Sequence, residues 1–370
     1  MSHRIRRDPQ WWAGVGLAVA VSLTAVFAAE WVGKSLLGFD KSPISAIMMA
    51  IVIGMIVANT LSLPPSMLGG IRFCARTILR IGIILLGIRL SLVGTGQFTL
   101  VALPFVVLAI AIGLTAVGLI GRSMGLSLQL SGLIAVGTSI CGVTAIVATA
   151  PLIKAKETEV SYAAACITVF GLGAMFLYPI LAHALFSGRP ELAGLFLGTS
   201  IHETAQVAGA GLMYETHYHA PRALDIATVT KLVRNLCMVA VIPLVGVLYS
   251  SDHKSHLAEG RVNWRSVIPW FILGFALMSA VRTIGDAGDL AFGVFDPTRW
   301  EQIVTLTRDA AEWCLLIAMA AVGLTSLVAE MRHIGLRPFA LGLFAAALIG
   351  GVSLAAIALL ADRLIAVVGL

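Results

Sequence analysis

Long apolar runs separated by short polar links recur along the whole chain. A membrane-crossing helix needs about 20 predominantly apolar residues. Runs of that kind occupy 11–29, 45–61, 71–92, 99–120, 160–186, 226–248, 267–281, 310–328 and 339–360. Two further segments, 130–153 and 192–212, are apolar but broken in the middle. In the first, Gly137-Thr138-Ser139-Ile140-Cys141-Gly142 sets five small or polar residues among six, well inside the segment. The same words return sixty-one positions later (198 − 137), as Gly198-Thr199-Ser200-Ile201-His202-Glu203-Thr204-Ala205-Gln206-Val207-Ala208. With one gap, Thr144-Ala145-Ile146-Val147-Ala148 also aligns with Thr204-Ala205-Gln206-Val207-Ala208. A repeated polar turn in apolar surroundings predicts two interrupted helices, the feature around which transporters build their binding sites.

The pattern predicts an all-α polytopic membrane protein, one integral membrane domain over 1–370 with 9–11 transmembrane segments and an inverted-repeat transporter architecture. Lys and Arg set the orientation. Arg4, Arg6 and Arg7 place the N-terminus in the cytoplasm. Alternation then keeps Arg122, Lys254, Arg261, Arg265, Arg332 and Arg337 inside. The acidic polar stretch 282–309, with Asp286, Asp289, Asp296 and Glu301, falls outside as a loop, and the C-terminus is periplasmic. If the interrupted segments cross fully, Lys154 and Lys156 fall outside and Arg189 inside. If they dip in and return, those assignments exchange. Two cations against one favour re-entry, with nine spans and two hairpins whose turns face each other; eleven spans is the alternative. A second, weaker self-similarity joins Leu86-Gly87-Ile88-Arg89-Leu90-Ser91 to Val322-Gly323-Leu324-Thr325-Ser326-Leu327, on segments of opposite direction.

Composition supports the membrane class. The chain is 59% hydrophobic and 12% charged, with mean hydropathy +0.96, against roughly 25% charged for soluble domains. Glycine, 37 of 370 residues, suits close helix approach in lipid. The net charge of +6 is read as Lys and Arg kept on cytoplasmic loops, not as nucleic-acid binding. Cys74, Cys141, Cys166, Cys237 and Cys314 all lie in apolar segments without CxxC spacing, which argues against disulfides and structural zinc. Val26-Phe27-Ala28 resembles a weak signal-peptidase site, but the apolar run continues to Ala29, so an uncleaved first helix is expected.

Ionisable groups at membrane depth cost a few kcal/mol and need a reason. Glu203 and His202 follow the second turn; Glu203 suits an ion carrier or a partner for a buried cation. Lys231 and Arg234 share one helix face, and Arg234, with Asn235 beside it, could meet Glu203 or an anion. Arg suits a tetrahedral oxyanion because its planar fork donates paired hydrogen bonds. The turns add backbone N–H groups, the hydroxyls of Thr138, Ser139, Thr199 and Ser200, and positive half-helix ends, an anion site on physical grounds. The opposite half-helix ends would equally suit Na⁺ or a proton carrier. The candidate substrate residues are therefore Gly137, Thr138, Ser139, Cys141, Gly142, Gly198, Thr199, Ser200, His202, Glu203, Gln206, Lys231 and Arg234. Arg72, Arg76 and Arg80 form a stripe expected to hold lipid headgroups or fix topology. Glu30 and Glu312 sit at outer ends of spans and receive no role. Glu215, His217 and His219 read as a solvated loop more than a metal site. There is no P-loop pattern.

At these residues the sequence resembles the YeiH-type family of bacterial inner-membrane proteins, named for sulfate export. The likeness rests on Gly-Thr-Ser-Ile-Cys-Gly, Thr144-Ala145, Ala150-Pro151, Ser200 to Val207, and Lys231-Leu232-Val233-Arg234, and covers the chain from about Pro43 onward. Glu203 stands where that family more commonly carries Asp. The resemblance implies transport of a sulfate-like anion. It also implies distant kinship with inverted-repeat cation/proton antiporters and bile-acid-type symporters, hence a mobile core against a scaffold. The spacing departs from those proteins, which separate their interrupted helices by more than one span. The expected function is secondary transport of a small oxyanion or sulfonate by alternating access, without enzymatic activity or cofactor and with H⁺ or Na⁺ as coupling ion. Cation/proton antiport through Glu203 is the alternative. A channel or an enzyme using Cys141 as nucleophile is a third reading, weakened because a buried apolar Cys is usually inert. The partners are the small anionic substrate and the bilayer of the inner membrane; a homodimer is left open.

Overall fold

A computed structural model describes residues 9–32, 45–248, 270–287, 290–327 and 335–368. The orientation markers Arg4, Arg6, Arg7, Lys254, Arg261, Arg265 and Arg332, and also Asp289, lie outside the described residues. The described chain is helical; its only β feature among those residues is a bridge between Ala291 and Phe295. Among the described residues, five helices are long and apolar enough to cross a membrane: Pro9–Trp31, Leu92–Ser123, Glu157–Phe186, Pro221–Gly246 and Leu336–Val368. Ala46–Thr60, Leu128–Ser139 and Trp270–Gly285 are shorter apolar helices. The protein is an all-α polytopic membrane protein. Its chain divides into two compact units.

Unit 1 holds 1–93, 212–221 and 271–329. Its helices are α1 (Pro9–Trp31), α2 (Ala46–Thr60), and α3 (Pro65–Phe73), which continues through a wide π turn, Cys74–Ile78, into α4 (Leu79–Leu86) and a 3₁₀ turn, Gly87–Arg89. Trp270–Gly285 and Pro297–Leu324 also belong mainly to this unit. Helix association in lipid depends on close packing, and two glycines meet reciprocally here. A Cβ on Gly54 would lie 2.6 Å from the Ala320 carbonyl oxygen, and one on Gly323 would lie 2.4 Å from that of Ile51. Gly87, the sequence counterpart of Gly323, packs in the same way: its Cβ would lie 2.3 Å from the Phe275 carbonyl.

One expectation is corrected in this unit. The stretch 282–309, expected as a loop, turns helical at Pro297. Asp296 caps that helix by accepting a hydrogen bond from Arg299 N at 3.0 Å, and Pro297 at its first position has no N–H to leave unsatisfied. Trp300 and Val304 then bury against Ile88 and Ala291, while the Trp300 indole donates to Asp286 at 2.8 Å. Tertiary packing overrides the local polarity.

Unit 2 holds 94–211, 222–270 and 330–370. Its elements are α5 (Leu92–Ile112), a π turn (Gly113–Val117), α6 (Gly118–Ser123), α7 (Leu128–Ser139), α8 (Val143–Thr149), α9 (Glu157–Phe186), α10 (Pro190–Ser200), α11 (Thr204–Tyr218), α12 (Pro221–Leu236) and α13 (Met238–Leu248). The order continues with α14 (Trp270–Gly285), α15 (Pro297–Leu324) and α16 (Leu336–Val368). Ser127 caps α7 by accepting from Leu130 N at 3.1 Å.

Each interrupted segment folds back on itself. A straight helix would hold Gly137 and Ile146 about 13 Å apart, yet a Cβ on Gly137 would lie 2.8 Å from Ile146 Cδ1. Ser127, at the entry of α7, hydrogen-bonds Glu159 in the first turn of α9, so the first segment enters and leaves at one end of the unit. The second does the same: Glu191 at the entry of α10 pairs with Arg222 at the start of α12 at 3.0 Å. Gly194 and Gly198 of α10 pack on Ala223 and Ala227 of α12 in the same order, whereas Thr204 and Gly211 of α11 meet Asn235 and Leu224 in reverse order. The two hairpins start from opposite ends of α9, and their tips meet near its middle: Gly137 faces Ile167, and Gln206 faces Gly171.

Candidate functional site

The breaks are shorter than the sequence repeats. Gly137 to Ser139 and Gly198 to Ser200 complete the last helical turns, and only Ile140–Gly142 and Ile201–Glu203 leave the helix. The first break turns on Gly142, at φ +71° and ψ −134°, a conformation open to glycine and costly for any other residue. Space demands glycine too, since a Cβ there would lie 2.4 Å from Glu203 Cγ. Two half-helix C-termini (α7, α10) and two N-termini (α8, α11) are therefore gathered in one buried place.

Helix α12 supplies the charges. Lys231 and Arg234, both fully buried, carry all of their identified hydrogen bonds to backbone carbonyls. Lys231 Nζ donates to Ile140 O and Ile201 O at 3.0 Å each, and to His202 O. Arg234 donates from Nε to Ser139 O at 2.8 Å, from Nη1 to Thr199 O at 2.6 Å and Ile201 O at 3.2 Å, and from Nη2 to Thr138 O. These acceptors are the orphan carbonyls at the C-terminal ends of α7 and α10, where a cation is favoured by the helix dipole. The pair ties the two tips together. A guanidinium has five N–H donors, so one N–H of Arg234 remains.

Glu203 serves the other pole. Its Oε1 accepts from Val143 N, the first amide of α8, at 3.0 Å. Its own carbonyl takes Val207 N at 2.9 Å and its amide donates to Gln206 Oε1 at 3.2 Å, the start of α11. Gln206 in turn donates to Thr168 O of α9 at 3.4 Å. No hydrogen bond joins Arg234 to Glu203 among the described residues; the cation spends its donors on carbonyls instead.

The hydroxyls divide. Thr138 and Thr199 each bond back to the carbonyl four residues earlier at 2.7 Å, and Ser200 does likewise. Ser139 Oγ, Thr230 Oγ1, Asn235 Oδ1 and both ring nitrogens of His202 are buried without a hydrogen-bond partner among the described residues. Asn235 Nδ2 donates to Thr204 Oγ1 at 3.1 Å. Cys141 Sγ lies 2.9 Å from the Met238 thioether. Thr230, and Asn235 as an acceptor, were not singled out from sequence; the available signal was the polar set Thr228, Thr230, Lys231, Arg234 and Asn235 on one buried helix.

Away from this centre, Glu215 is ion-paired with Arg89 at 2.8 Å, and Glu312 approaches Arg89 at 3.7 Å. Glu312, to which the sequence assigned no role, thus meets a buried guanidinium. No metal-binding group of His, Cys, Asp or Glu occurs among the described residues.

Comparison with known proteins gives a consistent picture. The family model described as "Conserved hypothetical protein 698" matches residues 15–342. The chain is 34% identical over 344 residues to a UPF0324 membrane protein of Bacillus cereus, covering 89% of each chain. It is 32% identical to the UPF0324 inner membrane protein YeiH of Escherichia coli K12, covering 91% of each, and 32% identical to YeiH of Salmonella typhi, covering 93% of this chain and 94% of that one. No solved structure matches. With a family model matched over residues 15–342 and relatives 32–34% identical across about nine-tenths of both chains, the chain belongs to the UPF0324 family of membrane proteins.

Proposed function

We propose that this protein is a secondary transporter of a small oxyanion or sulfonate, working by alternating access around the meeting point of the two hairpins. One observation carries the reading. Lys231 Nζ donates three hydrogen bonds, which takes an ammonium; with Arg234 and Glu203 also ionised, two positive charges and one negative charge share a single buried centre. The four half-helix ends, each worth about half a charge, cancel in pairs. A residue of about +1 is left at a depth where unbalanced charge is expensive, and an anion balances it. The unpartnered Ser139 and Thr230 hydroxyls are donors of the kind an oxyanion accepts, and a fifth guanidinium N–H of Arg234 would add to them.

The specific observation behind the alternative, cation/proton antiport, is the carboxylate of Glu203 set against the break at Gly142. Cys141 is read as a packing residue, and no reaction is assigned to it. The hairpins are read as re-entrant, the N-terminus as cytoplasmic and the C-terminus as periplasmic, in an inner membrane.

Counterflow of labelled sulfate, taurine and sulfite in proteoliposomes, with and without a pH gradient, tests the proposal. Exchange of at least one of these anions is expected. Proton flux driven by Na⁺ or K⁺ with no anion exchange would install the antiporter reading instead.

A further inference from the structure

The stripe Arg72, Arg76, Arg80 plays no part in that centre. It lies in unit 1, on the helix running from α3 through the wide turn Cys74–Ile78 into α4. Arg72 and Arg76 are exposed and Arg80 is half-buried. An α-helix advances about 100° per residue, so side chains four apart drift sideways by ~40° at each step. A π turn holds an extra residue per turn and takes up that drift. Placed between Arg72 and Arg80, it keeps the three arginines along one side of the helix.

Their depth follows from α1. Trp11 packs on Phe73 with ring centroids 5.2 Å apart, and Trp12 beside it is exposed. Tryptophans at the start of an apolar helix mark the membrane interface. Arg76 and Arg80 then sit about 4 and about 10 Å further in. Arg76 can reach the interface by extending outward. Arg80 instead stands over the Phe271 ring, 5.8 Å from its centroid. None of the three has a carboxylate or hydrogen-bond partner among the described residues. At the other end of the same helix, Arg89 is buried and paired with Glu215. The protein therefore neutralises one arginine of this helix from within and leaves a row of three open to something outside.

We infer that Arg72, Arg76 and Arg80 form a linear binding site for tetrahedral oxyanions, supplied either by the phosphate of an anionic lipid headgroup or by free sulfate-type ions. Parallel donors on successive guanidiniums grip several oxygens of one anion or hand it from one to the next. The site uses none of the hairpin-tip residues and stands whether or not the transport proposal does.

The test uses the full chain in phosphatidylcholine nanodiscs at constant ionic strength, with the thermal unfolding midpoint as readout. One arm adds phosphatidylglycerol; the other adds inorganic sulfate. The wild type should be stabilised in at least one arm, and the arm that responds names the source. The Arg76→Gln/Arg80→Gln variant should lose that stabilisation. The triple variant R72K/R76K/R80K keeps the charge for insertion but not the planar forks, and should bind roughly tenfold more weakly. It also decides the matter should the glutamine variant fail to fold. The hairpin tips are intact in both variants, so stabilisation that survives both belongs elsewhere and overturns the inference. A wild type that responds in neither arm overturns it as well.

Discussion

Replacing Arg234 by Gln removes the cation that fastens the two hairpin tips. Four hydrogen bonds end on the carbonyls of Thr138, Ser139, Thr199 and Ile201. Hydrogen bonds involving a charged group are worth about 1.5–3 kcal/mol each in net terms, so the four sum to a gross figure of roughly 6–12 kcal/mol. A glutamine amide recovers two donors at most and is too short to reach both helix ends. Interhelical bonds inside membranes also average nearer 0.6 kcal/mol, because the unfolded chain finds other partners there. A cost of about 3–5 kcal/mol is therefore expected, the range seen when one partner of a buried charged contact is lost. Arg234→Lys keeps the charge and up to three donors and should cost about 1–2 kcal/mol. Unfolding of purified protein in mild detergent, followed by thermal and SDS titration, reads the difference. The double change Arg234→Gln with Glu203→Gln should show no recovery of stability or transport, because Arg234 rests on carbonyls and not on that carboxylate. Stability of Arg234→Gln within about 0.5 kcal/mol of wild type, or rescue in the double variant, would refute the capping argument.

The remaining expectations concern shape and topology. Gly142→Ala meets both a positive φ and a carbon 2.4 Å away at Glu203; it should cost about 1–3 kcal/mol and abolish anion exchange, and normal exchange would show that the break is not shaped by glycine. Gly198→Leu should damage folding as well as transport, because its Cβ already meets the Ala227 carbonyl at 2.7 Å; a well-folded, inactive protein by size exclusion would mean that the α10–α12 contact yields easily. A single Cys at position 154 in a cysteine-free background should label from the cytoplasmic side, and labelling from outside only would rule out the re-entrant path. Cys141→Ala should leave exchange within about twofold of wild type, since an apolar neighbour of Met238 asks only for volume; complete loss in a folded variant would reopen a chemical role for the thiol.

Hydropathy fixed the membrane class and nearly every helix, because a bilayer demands apolar length and internally satisfied backbone, both written locally in the residues. The repeated Gly-Thr-Ser-Ile likewise located both breaks to within three residues, since small and polar residues inside an apolar run have few other uses. Charge counting could only lean toward hairpins on Lys154, Lys156 and Arg189; the fold-back itself lies in contacts such as Ser127 with Glu159 and Glu191 with Arg222, pairs that no local pattern links. The partners of Arg234 were beyond reach for the same reason. Sequence showed a cation and a carboxylate at similar depth and left open whether the cation meets that carboxylate or an anion. Only the tertiary arrangement brings the C-terminal carbonyls of α7 and α10 around α12, where unsatisfied backbone oxygens, charge-free in the sequence, claim the guanidinium first. Asp296 and Pro297 carried a readable helix start within a polar stretch, but it took the burial of Trp300 against Ile88 to make that helix worth forming.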